Sequence, residues 1–387
     1  MSLSASEPRP TRAQPWFAIL AAVAAAATLG VGCGDLDDHL GAQNVGYRPD
    51  GTLLVYTGQD LRLFDGQLRQ MMGAPTAVQE TGQIPDTFAL SDDGATVALS
   101  YTKWSTPLMT RNAVKVWRLP AADVVGDIDI DAQPKPPITR TRHVGLVALS
   151  PAGDLFFAQN RASDPDAPAG RDSDSGVFRV SDGVRLWGGY WLTSPVFSTD
   201  GQTLYAVTRW DRGLSPDVFD LAAFDAATGN VKFSVHMGPN SEDIDLVAGG
   251  TQIAGVWSLS PGPDGGAPLG ISFWSAADGT LIRTDPAIAP GSLYGTQSDG
   301  APAFACWHGG DLCAAGVTDG IVIWNVDGAL VRTLPRIHTP LSLFGFANDL
   351  AFSPDGKLLA VAGDATRVFR VADGALVSEQ QFRTGLF

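Results

Sequence analysis

The sequence predicts an all-β chain in which one unit is repeated seven times, and three observations carry that prediction. A turn of the type Ser-Pro-Asp-Gly recurs, with its glycine at Gly51, Gly94, Gly153, Gly201, Gly250, Gly310 and Gly356. Each turn leads into apolar stretches that end in one large aromatic: Phe64, Trp117, Phe178, Phe224, Trp274, Trp324 and Phe369. Most copies then carry Asp-Gly or Thr-Gly, as at Asp182-Gly183, Thr228-Gly229, Asp278-Gly279 and Asp373-Gly374. Four short strands per copy, repeated in this way, describe a seven-bladed β-propeller of four-stranded antiparallel blades.

Each element of a copy has a physical cause. In the turn, proline fixes φ, aspartate bonds nearby backbone, and glycine takes a positive φ, which together close a tight hairpin. The alternation in V-K-V-W-R-L (Val114 to Leu119) and T-R-V-F-R-V (Thr366 to Val371) has the period of two expected of half-buried strands. The terminal aromatic gives each sheet a large apolar plate to set against its neighbour. The copy from Leu350 to Gly374 is the cleanest, whereas the turns at Gly250 and Gly310 lack the Ser-Pro-Asp lead. Length alone, 387 residues, suggests two or three domains. The repeat merges them into one, spanning residues 45–387.

The segments SPDGKLLAVAG (Ser353 to Gly363), VFRVADG (Val368 to Gly374) and IVIWNVDG (Ile321 to Gly328) carry a family resemblance. Together with VKVWRL they are similar to the WD-repeat and related bacterial surface propellers, over nearly all of residues 45–382. The chain departs from that family in lacking the Gly-His dipeptide at its usual place and any blade-ending Trp-Asp; only Phe64-Asp65 and Phe224-Asp225 keep the acid. The resemblance implies the fold, and the scaffold roles of eukaryotic members are not carried across.

Residues 1–32 read as an export signal. Arg9 and Arg12 precede an alanine-rich apolar run from Trp16 to Gly32, which at ~1.5 Å per residue spans about 25 Å, short of the roughly 30 Å bilayer core. The run ends in L-G-V-G-C, Leu29 to Cys33, and resembles the lipobox of bacterial lipoproteins, although Gly30 stands where that family prefers leucine. The resemblance implies lipidation of Cys33, a tether over residues 33–44, and a place in the cell envelope, held to a membrane by lipid alone. A signal peptide cut elsewhere and an uncleaved anchor are the alternatives. A net charge of -15 argues against nucleic acid as a partner. Apart from Cys33, the chain has Cys306 and Cys313, flanking the turn W-H-G-G-D-L, where hairpin strands would face each other. A disulfide is expected there, with two buried free thiols as the alternative.

The copies differ from one another mainly in one connection. Labelling the strands of a blade a to d from the axis outward, the distance from turn glycine to aromatic measures the b–c connection. It is 13 residues in copy one, then 23, 25, 23 and 24, then 14 and 13. Copies two to five therefore carry insertions on one face, and insertions confined to one face of a repeat array often mark the binding face. Lys103 and Trp104, then Arg209, Trp210 and Asp211, then Trp257 are the ligand-binding candidates within them, since tryptophan can stack on sugars or apolar side chains. The alternative is that these rings hold their own loops down. Asp164, Asp166, Asp172 and Asp174 offer a weak calcium site, but the glycine and glutamate of an EF-hand loop are absent, so a solvated acidic loop is the favoured reading.

Catalytic signatures are thin. The histidines His39, His143, His236, His308 and His338 show no metal-ligand spacing, and no nucleophile elbow or nucleotide-binding loop occurs. His308, in an a–b turn away from the inserted face, reads as structural. No cofactor is expected. The favoured function is a binding or scaffold module for a protein, peptide or glycan; the alternative is a propeller enzyme, a lactonase or quinoprotein-like oxidoreductase, with its site at the channel mouth.

Overall fold

The structure, a computed structural model, describes residues 44–78, 83–106, 109–130, 143–161, 175–189, 192–210, 218–238, 241–258, 269–289, 303–317, 320–335 and 347–382. They form seven four-stranded antiparallel sheets, each made of four consecutive strands. Blades 1 to 7 occupy residues 44–77, 83–129, 143–188, 192–238, 241–289, 304–335 and 349–380. The first strand of each blade packs beside the first strand of the next, and that of blade 7 beside that of blade 1, so the blades close a ring. Asn44, the last residue of the expected tether, is already the first residue of strand a in blade 1.

The core consists of seven apolar clusters, one at each interface between adjacent blades. Every strand-ending aromatic joins the cluster shared with the preceding blade: Trp117 packs toward blade 1, for example, and Trp324 toward blade 5. Trp274 and Trp324 head the largest fully buried side chains. The aromatic plates thus act between blades, as the repeat pattern implies.

The repeated turn closes through its own side chains. In blade 7, Ser353 Oγ donates to Asp355 Oδ1 at 2.8 Å and accepts from the Leu358 N–H at 2.9 Å. Lys357 first, then Ser353, hold the Asp355 carboxyl down at about 2. Ser91 with Asp93 and Ser198 with Asp200 repeat the arrangement in blades 2 and 4.

Among the described residues no strand is exchanged between the first and last blades. The Val45 N–H donates to Asp349 Oδ2 at 3.0 Å, joining their innermost strands. Farther out, Phe382 packs on Phe64, with ring centres 6.0 Å apart, and Arg62 lies 5.0 Å over the Phe382 ring. Ring closure therefore rests on packing plus a half-buried carboxylate clamp.

Candidate functional site

Two surfaces are candidates, one on each face of the ring. On the face that carries the a–b turns, the central channel opens into a cavity of about 490 Å³. Its lining is mixed: Phe88, Leu90, Leu350 and Phe352 are among its apolar side chains, and its charged groups are Asp92, Asp245, His308 and Asp349.

Blades 5 and 6 build the charged part by departing from their own repeat. Five residues before the turn glycine, the other copies place Gly46, Ala89, Ala148, Val196, Ala305 and Ala351; blade 5 places Asp245 there. Blade 6 replaces Ser-Pro-Asp-Gly by Trp307-His308-Gly309-Gly310. The two altered turns bond to each other, Ala248 N–H to the Gly310 carbonyl at 2.7 Å and Gly249 N–H to the His308 carbonyl at 2.8 Å. Asp245 then spans the junction: Oδ2 accepts from the Cys306 N–H at 2.7 Å, and Oδ1 lies 3.0 Å from His308 Nε2. Gly310 does not adopt the positive φ of the other turn glycines. It is required instead for space, because a Cβ there would stand 2.0 Å from the Trp307 ring. That ring also covers Gly356 of blade 7, and its N–H donates to the Pro354 carbonyl at 3.0 Å.

The electrostatics follow from this geometry. Burial works against charge on His308, but Asp245, with help from Asp92, outweighs it and lifts the imidazolium to about 9. His308 and Asp245 are therefore a charged pair at neutral pH. Burial pushes the Asp349 carboxyl up to about 6, against the pull of its donors Val45, Leu350 and Asn44. Asp92, on the blade 2 turn, is raised by burial and feels both His308 and Asp245. Among the described residues no hydrogen bond reaches its carboxylate, and no cluster of three or more His, Cys, Asp or Glu is arranged to hold a metal ion.

Cys306 and Cys313 are direct cross-strand partners in blade 6 and are joined by a disulfide. The bond ties strand a, which carries the Asp245 contact, to strand b beneath the Trp307 turn.

On the opposite face, the insertions of blades 2, 4 and 5 appear in part as lengthened b–c hairpins. Strand b of blade 1, Leu53–Tyr56, has 4 residues, whereas that of blade 2, Thr96–Thr106, has 11 and pairs with Met109–Arg118 as far as Met109. The extra length raises that hairpin by about 24 Å at ~3.4 Å per residue. Strand b of blade 4, Thr203–Trp210, has 8 residues, and that of blade 5, Gln252–Ser258, has 7. Lys103 pairs with Arg111, Trp104 with Thr110, Arg209 with Phe219 and Trp210 with Val218, all toward the raised ends. The side chains of these four candidates, and Asp211, Asp164, Asp166, Asp172, Asp174 and Cys33 altogether, lie outside the described residues. Trp257 is half-buried; its ring fills the space over Gly270, and its N–H donates to Ser272 Oγ at 3.1 Å.

Of the charged channel-mouth residues the sequence singled out only His308, and read it as structural; a signal for the rest was present, since the two copies without the Ser-Pro-Asp lead are neighbours. What the sequence does not display is that their turns meet over the channel.

No protein-family model matches the chain, and no curated protein matches it. Solved structures do. The chain is similar to hydrazine synthase of Kuenenia stuttgartiensis, with 17% identity over 88% of this chain and 98% of that one, at a TM-score of 0.55. It is also similar to a chain in the crystal structure of a mitotic checkpoint complex, with 12% identity over 87% of this chain and 92% of that one, at a TM-score of 0.55. At these identities the likeness shows a shared propeller fold.

Proposed function

We propose that this chain is an exported propeller, lipid-anchored through Cys33, that serves as a binding scaffold and docks a protein on the raised b–c face of blades 2 to 5. The observation that carries this reading is the concentration of lengthened hairpins on one face, where blade 2 extends strand b to 11 residues against 4 in blade 1. Such rims enlarge a contact surface without disturbing the packed blades beneath. The structural neighbour that sits in a protein complex supports a protein as the partner ahead of a peptide or glycan. Residues 1–32 and the lipobox-like run before Cys33 support envelope anchoring.

The test is to replace residues 102–112 by a two-residue turn and to capture partners from solubilised envelope. Loss of one defined partner with an unchanged melting temperature supports the reading; undiminished capture refutes it. For the anchor, Cys33→Ala should move the protein from the membrane to the soluble fraction.

The convergence of His308, Asp245 and Asp92 at a concave mouth speaks for the enzyme reading. Against it, His308 is held as a cation up to about 9 and so offers no general base at neutral pH.

A further inference from the structure

The channel mouth has a charge imbalance that its own contacts do not settle. Asp245 and His308 neutralise each other at 3.0 Å. Both Asp349 oxygens are occupied, Oδ2 by Asn44 and the Val45 N–H, and Oδ1 by the Leu350 N–H. The acids of the neighbouring turns are likewise engaged: Asp93 with Ser91 and the Ala95 N–H, and Asp355 with Ser353 and Lys357. Asp92 stands apart. It lines the cavity as an exposed carboxylate that no hydrogen bond reaches among the described residues, and the cation whose charge acts on it, His308, is already committed to Asp245.

Apolar side chains make up part of the lining around this carboxylate. Phe88 and Leu90, four and two residues before Asp92, pack over Gly46 of blade 1, and Leu350 and Phe352 line the cavity from blade 7. A concave apolar cup with a few convergent polar groups is the usual form of a small-ligand site. An inorganic cation would find a single free carboxylate here, too few oxygens for calcium. An anion would meet Asp92 and Asp349 together with a histidine whose charge is already compensated.

We propose that the mouth binds an organic cation on an apolar stem, an alkylammonium or guanidinium whose head meets Asp92 and whose stem lies along Phe88 and Leu90. This site is on the face opposite the raised hairpins and does not rest on protein docking there. A free amine and a lysine or arginine side chain presented by a peptide share this chemistry.

The experiment is calorimetric titration of the purified full chain with n-butylamine, Nα-acetyl-lysine methylamide and Nα-acetyl-arginine methylamide. The norleucine analogue serves as the neutral isostere and butyrate as the anion. The cations should bind at least about tenfold more tightly than either control, and Asp92→Asn should weaken them by about tenfold with an unchanged melting temperature. His308→Gln, which leaves Asp245 uncompensated, should tighten them. Equal affinity for butylamine and the lysine amide assigns the site to small amines, and a preference for the amino-acid amides assigns it to a peptide side chain; either result supports the proposal. Equal binding of cation and neutral isostere, absence of cation binding, or indifference to Asp92→Asn in a folded protein overturns it.

Discussion

Replacing His308 by glutamine should remove a stabilisation that depends on pH. In the folded protein the imidazolium is lifted from 6.5 to about 9, because Asp245 and Asp92 outweigh the burial of the ring. Taken at face value, that difference is worth at most about 3 kcal/mol. The ring is 39% exposed, however, so solvent screening cuts the figure to about 1 kcal/mol. The sign follows from linkage. A raised histidine pKa stabilises fully below about 6.5, where both folded and unfolded states are charged, and the contribution fades as pH climbs through about 9. The measurement is thermal unfolding of the native protein and His308→Gln at pH 6 and pH 10. The variant should melt roughly 1–3 °C lower at pH 6, and the gap should close at pH 10. Asp349, raised to about 6, shifts both proteins alike and cancels in the difference. A gap of the same size at both pH values would refute the ion pair as its cause.

Three further perturbations probe the frame around the mouth. Gly310→Ala places a Cβ 2.0 Å from the Trp307 ring, and the displaced indole should lower stability by about 1–3 kcal/mol in denaturant unfolding. Breaking the Cys306–Cys313 bond, by a reductant or by serine at both positions, should remove about 2 kcal/mol, read as a lower unfolding midpoint. Trp324→Ala empties the plate between blades 5 and 6, where the ring is 0% exposed, and should cost about 3–5 kcal/mol; a loss under 1 kcal/mol would count against inter-blade packing as the source of stability.

The blade architecture was readable in the sequence because each of its devices is local. Ser353 to Gly356 form a turn through bonds among themselves and their neighbours, and Phe369 sits at a fixed distance from them, so the pattern survives without knowledge of the ring. The disulfide was legible for the same reason, since Cys306 and Cys313 face each other across one hairpin. The channel mouth was not, because Asp245 and His308 are 63 positions apart and Asp92 lies on a third blade across the axis. Their meeting depends on ring closure. The long glycine-to-aromatic spacing of copies two to five showed where chain had been added, while the continued pairing of Thr96–Thr106 with Met109–Arg118 emerged only in three dimensions.

The central claim, that the raised b–c face is the docking surface, is tested most directly by site-specific photo-cross-linking in intact cells. A photoreactive residue at Thr110, on the blade 2 hairpin, should give one defined adduct with another protein. The same residue at Lys357, an exposed position on the opposite face, should not give that adduct. Absence of an adduct at Thr110, or the same adduct from both positions, would contradict the account.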